Sequence, residues 1–385
     1  MMSKKFLIVC GGTGGHLSPG IAVAEELLSR GHRCSLVISN KQVDSRLVQR
    51  YEHLDFVKVP GAAFGKHPRE MLRFFTGLLR GLVSGSGILR RENPDLVLAF
   101  GGFLSLGVVL FAWFRGIPVA LHEANRKAGR AVRLLKGLAT RVYLPTGVRL
   151  PRVSIGTVRY YGYPVRKEFR RLPTRWARRK LGLADDGFLL VVFGGSQGAL
   201  ALNDWVDAHS RLLLARGIDL YCVRGLGKGS GGVLESVDSQ GNTRRYHSVG
   251  FCDEMHFALS AANLAISRAG AGSIAELTRS VIPSILIPYP HAADNHQQEN
   301  ARYFESQGGC VVVEQDFLNS LYDEVVALHE NPAFLDRIRD NLVMIEDTNR
   351  KEDLVSDLES VAFAGPRKSW WRFWLREPAP GGGQA

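Results

Sequence analysis

Two doubly wound, parallel-sheet α/β domains facing one another across a cleft are the fold class this chain predicts, and three observations predict it. The first is a repeat: FLIVC-GGTGG at Phe6 to Gly15 and LLVVF-GGSQG at Leu189 to Gly198. Each is an apolar run of strand length that breaks into glycines, carries a hydroxyl residue (Thr13 or Ser196) at the third loop position, and continues as helix-like sequence. Glycines let the backbone turn sharply and approach a ligand, and the amides of the following helix start present the positive end of its dipole, which suits phosphate. The second is alternation of strand and helix patterns through both halves, the signature of crossover-wound, Rossmann-like domains. The third is size: 385 residues, 45% of them hydrophobic, exceed what one core holds, since single cores stop growing near roughly 250 residues.

In chain order, the first strand ends at Cys10, a helix runs from about Pro19 to Ser29, and CSLVIS at Cys34 to Ser39 is the next strand. Further strands fall at Asp95 to Phe100, Pro118 to Glu123 and Thr140 to Pro145, and in the second half near 188–193, 219–223, 263–267 and 283–287. The segment GYPVRKEFRRLPTRWARRK (162–180) is basic, holds two prolines and loses periodicity, so a hinge is expected there. The expected organisation is therefore a first domain over 1–164 and a second over 165–345. A terminal stretch (346–365) follows, with a helix at about 351–363 crossing back to the first domain, and then a basic aromatic tail (366–385) that ends in a disordered Gly/Pro segment.

Five cysteines without a CxxC pair read as buried thiols of a reducing compartment. The opening MMSKKFLIVCGG has too short an apolar run for a signal peptide, and glycines and arginines interrupt the most apolar window, 96–114, so a soluble or peripheral protein is expected. No His, Cys, Asp or Glu set has metal-ligand spacing, and Asp185-Asp186 reads as a turn; no structural metal is expected, and a divalent ion accompanying a diphosphate ligand is left open.

Three further segments carry polar groups suited to a ligand. His16 follows the first glycine loop at the mouth of the cleft. AISRAGAGSIAEL (265–277) is a third strand, glycine loop and helix, in which Ser273 and Glu276 have the S-x-x-E spacing of a capping box; the alternative is that the Glu276 carboxylate accepts both hydroxyls of a ribose. PYPHAADNHQQENA (288–301) is rich in amide and imidazole groups, among them Gln297, of the kind that read sugar hydroxyls.

Seven segments in register over about 1–345 resemble the MurG family, peripheral-membrane glycosyltransferases of bacterial peptidoglycan synthesis with the glycosyltransferase-B fold. They are GGTGGHLSPGIAVAEEL (11–27), FGGFLS (100–105), HEAN (122–125), GYPVR (162–166), GGSQGA (194–199), SRAGAGSIAE (267–276) and DNHQQENA (294–301). The resemblance implies inverting transfer of N-acetylglucosamine from UDP-GlcNAc to the 4-hydroxyl of the muramoyl sugar on undecaprenyl diphosphate, converting lipid I to lipid II. It also implies a place on the cytoplasmic face of the plasma membrane.

For the site, the resemblance implies that Thr13, Gly14, Gly15 and Ser196 with their loop amides meet phosphate, that Arg166 assists, and that Glu276 binds the ribose. It implies further that Gln297, Ala271, Gly272, Ser273 and Asn125 read the sugar, and that Phe251 and Cys252 border the uracil. His16 is the candidate base because an imidazole titrates near neutral pH; Glu123 is the second candidate, and His122 beside it is read as structural. Two departures touch the acceptor side: GYPVR replaces the family's GNPVR, so Tyr163 stands where an amide is usual, and HEANRKAGR is more basic than the family's continuation.

The net charge of +12 calls for an acidic partner, and the cations concentrate at 66–91, 166–180 and 367–376. Arg69 to Val83 has helical apolar spacing with arginines opposite, and the tail PRKSWWRFWLR interleaves three tryptophans with cations. Both suit an anionic membrane surface, the tail's rival being a cell-wall synthesis protein. Nucleic acid is not expected, because it explains the charge but not the glycine loops. GGTGGH is not the GxGxxG of a dinucleotide oxidoreductase. A diacylglycerol glycosyltransferase of the same fold is the nearest enzymatic alternative, and a non-catalytic, membrane-associated nucleotide-sugar-binding protein is the other.

Overall fold

The structure is a computed structural model of the chain, and it describes residues 2–11, 14–39, 48–59, 85–195, 197–229, 231–349 and 351–365. Thr13, Ser196, positions 60–84 with most of the first basic patch, and the tail from 366 lie outside the described residues.

The first half forms one sheet from β1 (Lys5–Val9), β2 (Arg33–Ser39), β3 (Asp55–Val59), β4 (Leu96–Ala99), β5 (Val119–His122), β6 (Arg141–Leu144) and β7 (Val158–Tyr160). All six pairings are parallel, in the order β3-β2-β1-β4-β5-β6-β7. The second half repeats the plan with β8 (Phe188–Phe193), β9 (Ile218–Val223), β10 (Gly232–Val237), β11 (Thr243–Val249), β12 (Leu264–Ser267), β13 (Ser284–Leu286) and β14 (Val311–Val312), ordered β10-β11-β9-β8-β12-β13-β14. Only the β10–β11 hairpin is antiparallel. Strand order reverses between β1 and β4 and again between β8 and β12. Crevices at the carboxyl ends of the strands open at such reversals, so each half aims its glycine loops at a ligand position.

Strand side chains alternate between two buried faces, as parallel sheets covered on both sides require. Phe6, Ile8 and Cys10 join one core while Leu7 and Val9 join another; Leu189, Val191 and Phe193 likewise face away from Leu190 and Val192. All five cysteines are free and buried.

The chain leaves the second half through α10 (Pro332–Asp347) and returns as α11 (Lys351–Ala364), whose Leu354, Val355, Leu358, Val361 and Ala362 pack with Phe6, Ile8 and Leu36 of the first sheet. Polar ties hold it there: Glu359 accepts from Arg30 Nη1 at 2.9 Å, and Asp357 accepts from Tyr143 Oη at 2.9 Å and Arg141 Nε at 3.2 Å. No helix among the described residues is long and apolar enough to cross a membrane.

One helix boundary differs from expectation. α1 runs Gly14–Ser29, so it starts in the glycine loop rather than at Pro19, and that proline lies inside it.

Candidate active site

Between the halves lies a cleft with two connected chambers. The larger, about 740 Å³, is lined by His16, Phe100, His122, Glu123 and Asn125 from the first half and by Lys228, Arg268, Ala271, Gln297 and Gln315 from the second. The smaller, about 160 Å³, is lined by Arg50, Arg166, Phe193, Val223, Phe251, Cys252 and Glu276. Gly15, Tyr163, Gly195, Gly272 and Ser273 line both, so the chambers meet where the glycine loops of the two halves face each other.

Backbone donors are built into that junction. α5 (Leu200–Ala215) and α7 (Ala271–Ser280) start at the cleft with Ala199 and Gly270 at their N-caps, and neither has a side-chain cap. The Leu202 amide donates to Ala199 O at 3.1 Å, and the N–H groups of Leu200 and Ala201 in α5 and of Ala271, Gly272 and Ser273 in α7 are the ones placed to meet an anion. The loop after β8 tolerates only glycine at two places: a Cβ on Gly194 would lie 2.2 Å from the Ala199 nitrogen, and one on Gly198, at φ 64°, 1.9 Å from the Arg224 oxygen. Lys228 Nζ donates to Gly198 O at 3.2 Å and brings a cation to the same loop.

The start of α7 corrects the capping-box expectation. Ser273 is the third residue of the helix, not its cap, so Glu276 lies in the second turn and reaches outward instead of back. Its Oε1 accepts from Arg166 Nη2 at 3.3 Å. Arg166 is also 3.3 Å from Glu168 and donates to Tyr51 Oη at 3.2 Å; Tyr51 in turn donates to Glu168. This network joins the first half (Tyr51), the segment between the two sheets (Arg166, Glu168) and α7 (Glu276). Burial works against the Arg166 charge, but Glu276, Tyr51 and Glu168 together hold its pKa above the ordinary guanidinium value. Burial pushes Glu276 upward, and Arg166 only partly offsets it.

On the first-half wall, β5 ends in HEAN. His122 is buried, and burial, reinforced by neighbouring His16, lowers its pKa to about 4. It is therefore neutral, with Nε2 3.3 Å from Gly162 O, as its structural reading expects. Both Glu123 oxygens hold their own loop: Oε1 accepts from the Asn125 nitrogen at 2.9 Å and Nδ2 at 3.1 Å, and Oε2 from the Gly129 nitrogen at 2.6 Å. Asn125 Oδ1 accepts from Asn300 of the other half at 3.1 Å. His16, in the first turn of α1, lies against the glycine loop after β4: a Cβ on Gly102 would stand 3.5 Å from its Nδ1.

Gln297 Oε1 accepts from the Tyr289 nitrogen at 3.0 Å. Cys252, its thiol pushed up chiefly by burial, accepts from Tyr221 Oη at 3.7 Å. The structure thus brings His16, Glu123, Asn125, Ala271 and Gln297 to one chamber, Arg166, Phe251, Cys252 and Glu276 to the other, and Gly15, Gly272 and Ser273 to their junction; Gly14 opens α1 beside it. Tyr51, Glu168, Lys228 and Arg268 were not singled out from sequence, because each is an ordinary polar residue until the fold supplies its neighbours.

Residues 6–144 match the glycosyltransferase family 28 N-terminal domain and 189–357 the glycosyltransferase family 28 C-terminal domain. Over 356 residues the chain is 51% identical to the UDP-N-acetylglucosamine–N-acetylmuramyl-(pentapeptide) pyrophosphoryl-undecaprenol N-acetylglucosamine transferase of Opitutus terrae, covering 92% of this chain and 94% of that one. The chain belongs to the MurG family within glycosyltransferase family 28. A MurG-family relative with the same description in Clavibacter sepedonicus is 34% identical over 367 residues, covering 91% and 96% of the two chains. The crystal structure of Acinetobacter baumannii MurG superposes with a TM-score of 0.66 at 21% identity, covering 93% and 99%, which bears on the fold alone. Two parallel-sheet domains in the glycosyltransferase-B arrangement are therefore the architecture of this MurG-family chain.

Proposed function

We propose that this enzyme moves N-acetylglucosamine from UDP-GlcNAc to the muramoyl-pentapeptide sugar on undecaprenyl diphosphate, the donor and acceptor that the relatives' names give, and that the 4-hydroxyl of that sugar receives it. The observation that carries the reading is the meeting of the two chambers at uncapped helix starts: a nucleoside in the smaller chamber and a sugar in the larger would put the diphosphate at the junction, against the amides of α5 and α7. The glycine loop after β8 at that junction, with Arg166 from the adjoining smaller chamber, would neutralise the departing UDP, the electrostatic requirement of the step.

Glu276 would take the ribose hydroxyls, Phe251 and Cys252 would flank the uracil, and Gln297, Ala271 and Asn125 would read the sugar. His16 is proposed as the base that takes the acceptor proton, because its imidazole lines the larger chamber from the first turn of α1 and an imidazole exchanges protons near neutral pH. Arg166 and Tyr163 lie on the hinge proposed between domains 1–164 and 165–345. The test is transfer of labelled N-acetylglucosamine to a short-chain lipid I analogue by wild type, Glu276→Ala and His16→Ala. Transfer that collapses in both variants while the proteins stay folded is expected; a folded wild type that transfers nothing would overturn the reading.

We propose also that the first domain rests peripherally on the cytoplasmic face of the plasma membrane. Residues 124–167 hold eleven Lys and Arg and no Asp or Glu, and the same segment exposes Leu134 (71%) and Ile155 (92%). Aliphatic tips among cations suit anionic headgroups. Leu134→Glu with Ile155→Glu should reduce sedimentation with phosphatidylglycerol vesicles several-fold; undiminished binding would refute this surface.

A further inference from the structure

Pro19 lies in the sixth position of α1 and has no N–H, so the carbonyl four residues before it, that of Gly15, lacks its intrahelical donor. Tyr163 fills the gap from another element: its hydroxyl donates to Gly15 O at 3.0 Å. The same hydroxyl stands 2.9 Å from where a Cβ on Gly272 would be, so the ring lies against the first turn of α7 in the space that glycine leaves. The backbone of Tyr163 is itself anchored. Asn349 donates to Tyr163 O at 3.2 Å, and His122 Nε2 lies 3.3 Å from Gly162 O. The side chain is 8% exposed and lines both chambers.

We infer that Tyr163 is a positioning residue: a strut that fixes the first turn of α1, which carries His16, at a set distance from the donor-side turn of α7. This rests on the transfer reaction proposed above. A rigid ring held at its backbone end and bonded at its tip resists changes in that separation, and a displacement of about 1 Å between reacting groups lowers a rate by up to roughly a hundredfold. Apart from the glycine loop that opens α1, the donor's own contacts are proposed on the second half, the hinge and Asn125, so loss of the strut should act more on the rate than on donor binding.

The test is Tyr163→Phe in the full chain, which removes the hydroxyl and keeps the ring. The expected result is a fall in kcat of about tenfold, a KM for UDP-GlcNAc within about twofold of wild type, and a melting temperature lowered by no more than a few degrees, as loss of one buried hydrogen bond implies. A Tyr163→Phe enzyme with wild-type kcat, or a kcat loss fully matched by loss of folded protein, would overturn the inference.

Amide hydrogen exchange supplies a readout that needs no acceptor. In Tyr163→Phe the amides that bond the first-turn carbonyls of α1, those of Ser18, Gly20 and Ile21, should exchange at least about tenfold faster, and unchanged exchange there would overturn the strut. Failure of wild type to transfer, with faster exchange in the variant, would instead count against the proposed reaction.

Discussion

Replacing Glu276 by glutamine separates its two partners, Arg166 and the proposed ribose, in one experiment. Glu276 and Arg166 are 16% and 11% exposed and 3.3 Å apart, so the pair is little screened by water. The substitution does not strand the guanidinium, which keeps Glu168 at 3.3 Å and Tyr51 at 3.2 Å. Breaking a buried pair without such cover costs about 3–5 kcal/mol, so here about 1–2 kcal/mol is expected. On the ligand side, a hydrogen bond to a charged group is worth about 1.5–3 kcal/mol against about 0.5–1.5 for a neutral one. Two ribose hydroxyls would then lose about 2–3 kcal/mol together, a fall of roughly 30- to 150-fold in kcat/KM for UDP-GlcNAc. The discriminating assay is competition by UDP and 2′-deoxy-UDP. Wild type should prefer UDP, and Glu276→Gln should keep only the roughly two- to tenfold preference that a neutral hydrogen bond supports. A wild type indifferent to the 2′-hydroxyl, or a variant that keeps the full wild-type preference, would refute the ribose contact.

Arg166→Ala should destabilise the fold by about 3–5 kcal/mol in urea unfolding, because it leaves the Glu168 and Glu276 carboxylates buried without their counter-charge; a cost under about 1 kcal/mol would contradict the network. His122 has a folded pKa near 4 against an ordinary value near 6.5. Below 6.5 the unfolded chain binds the extra proton, so stability falls as pH drops, by about 3 kcal/mol at pH 4. Above 6.5 the group contributes no pH dependence, and His122→Gln should flatten that part of the stability profile. Leu358→Ala, at a fully buried position where α11 meets the first sheet, should cost about 2–5 kcal/mol; a loss below 1 kcal/mol would mean that α11 contributes little to that core.

Strands β1 and β8 were legible because each is a continuous apolar run ending in glycine, a local signal that burial on both faces imposes. Those that went unread lack it. β3 (DFVKV) and β10 (GVLESV) lie at sheet edges with one face open, β11 (TRRYHSV) alternates beside an edge, β7 is three residues long and β14 two. The start of α1 was misread because Gly14, Gly15 and Pro19 are poor helix formers; the propensity argument was sound, but a side chain 148 positions away supplies the missing donor.

The site divides the same way. The glycine loops announce themselves, since their chemistry is their own backbone. Glu276 does not, since its spacing from Ser273 favours a cap that the helix start at Ala271 forbids, and its partner Arg166 is 110 residues off. Glu123 shows the converse: a carboxylate in a signature motif looks catalytic in sequence, yet its oxygens are held by donors two and six residues ahead. A motif residue therefore needs its partners located before it is given a role, and those of Glu123 tie both its oxygens to the loop that follows β5.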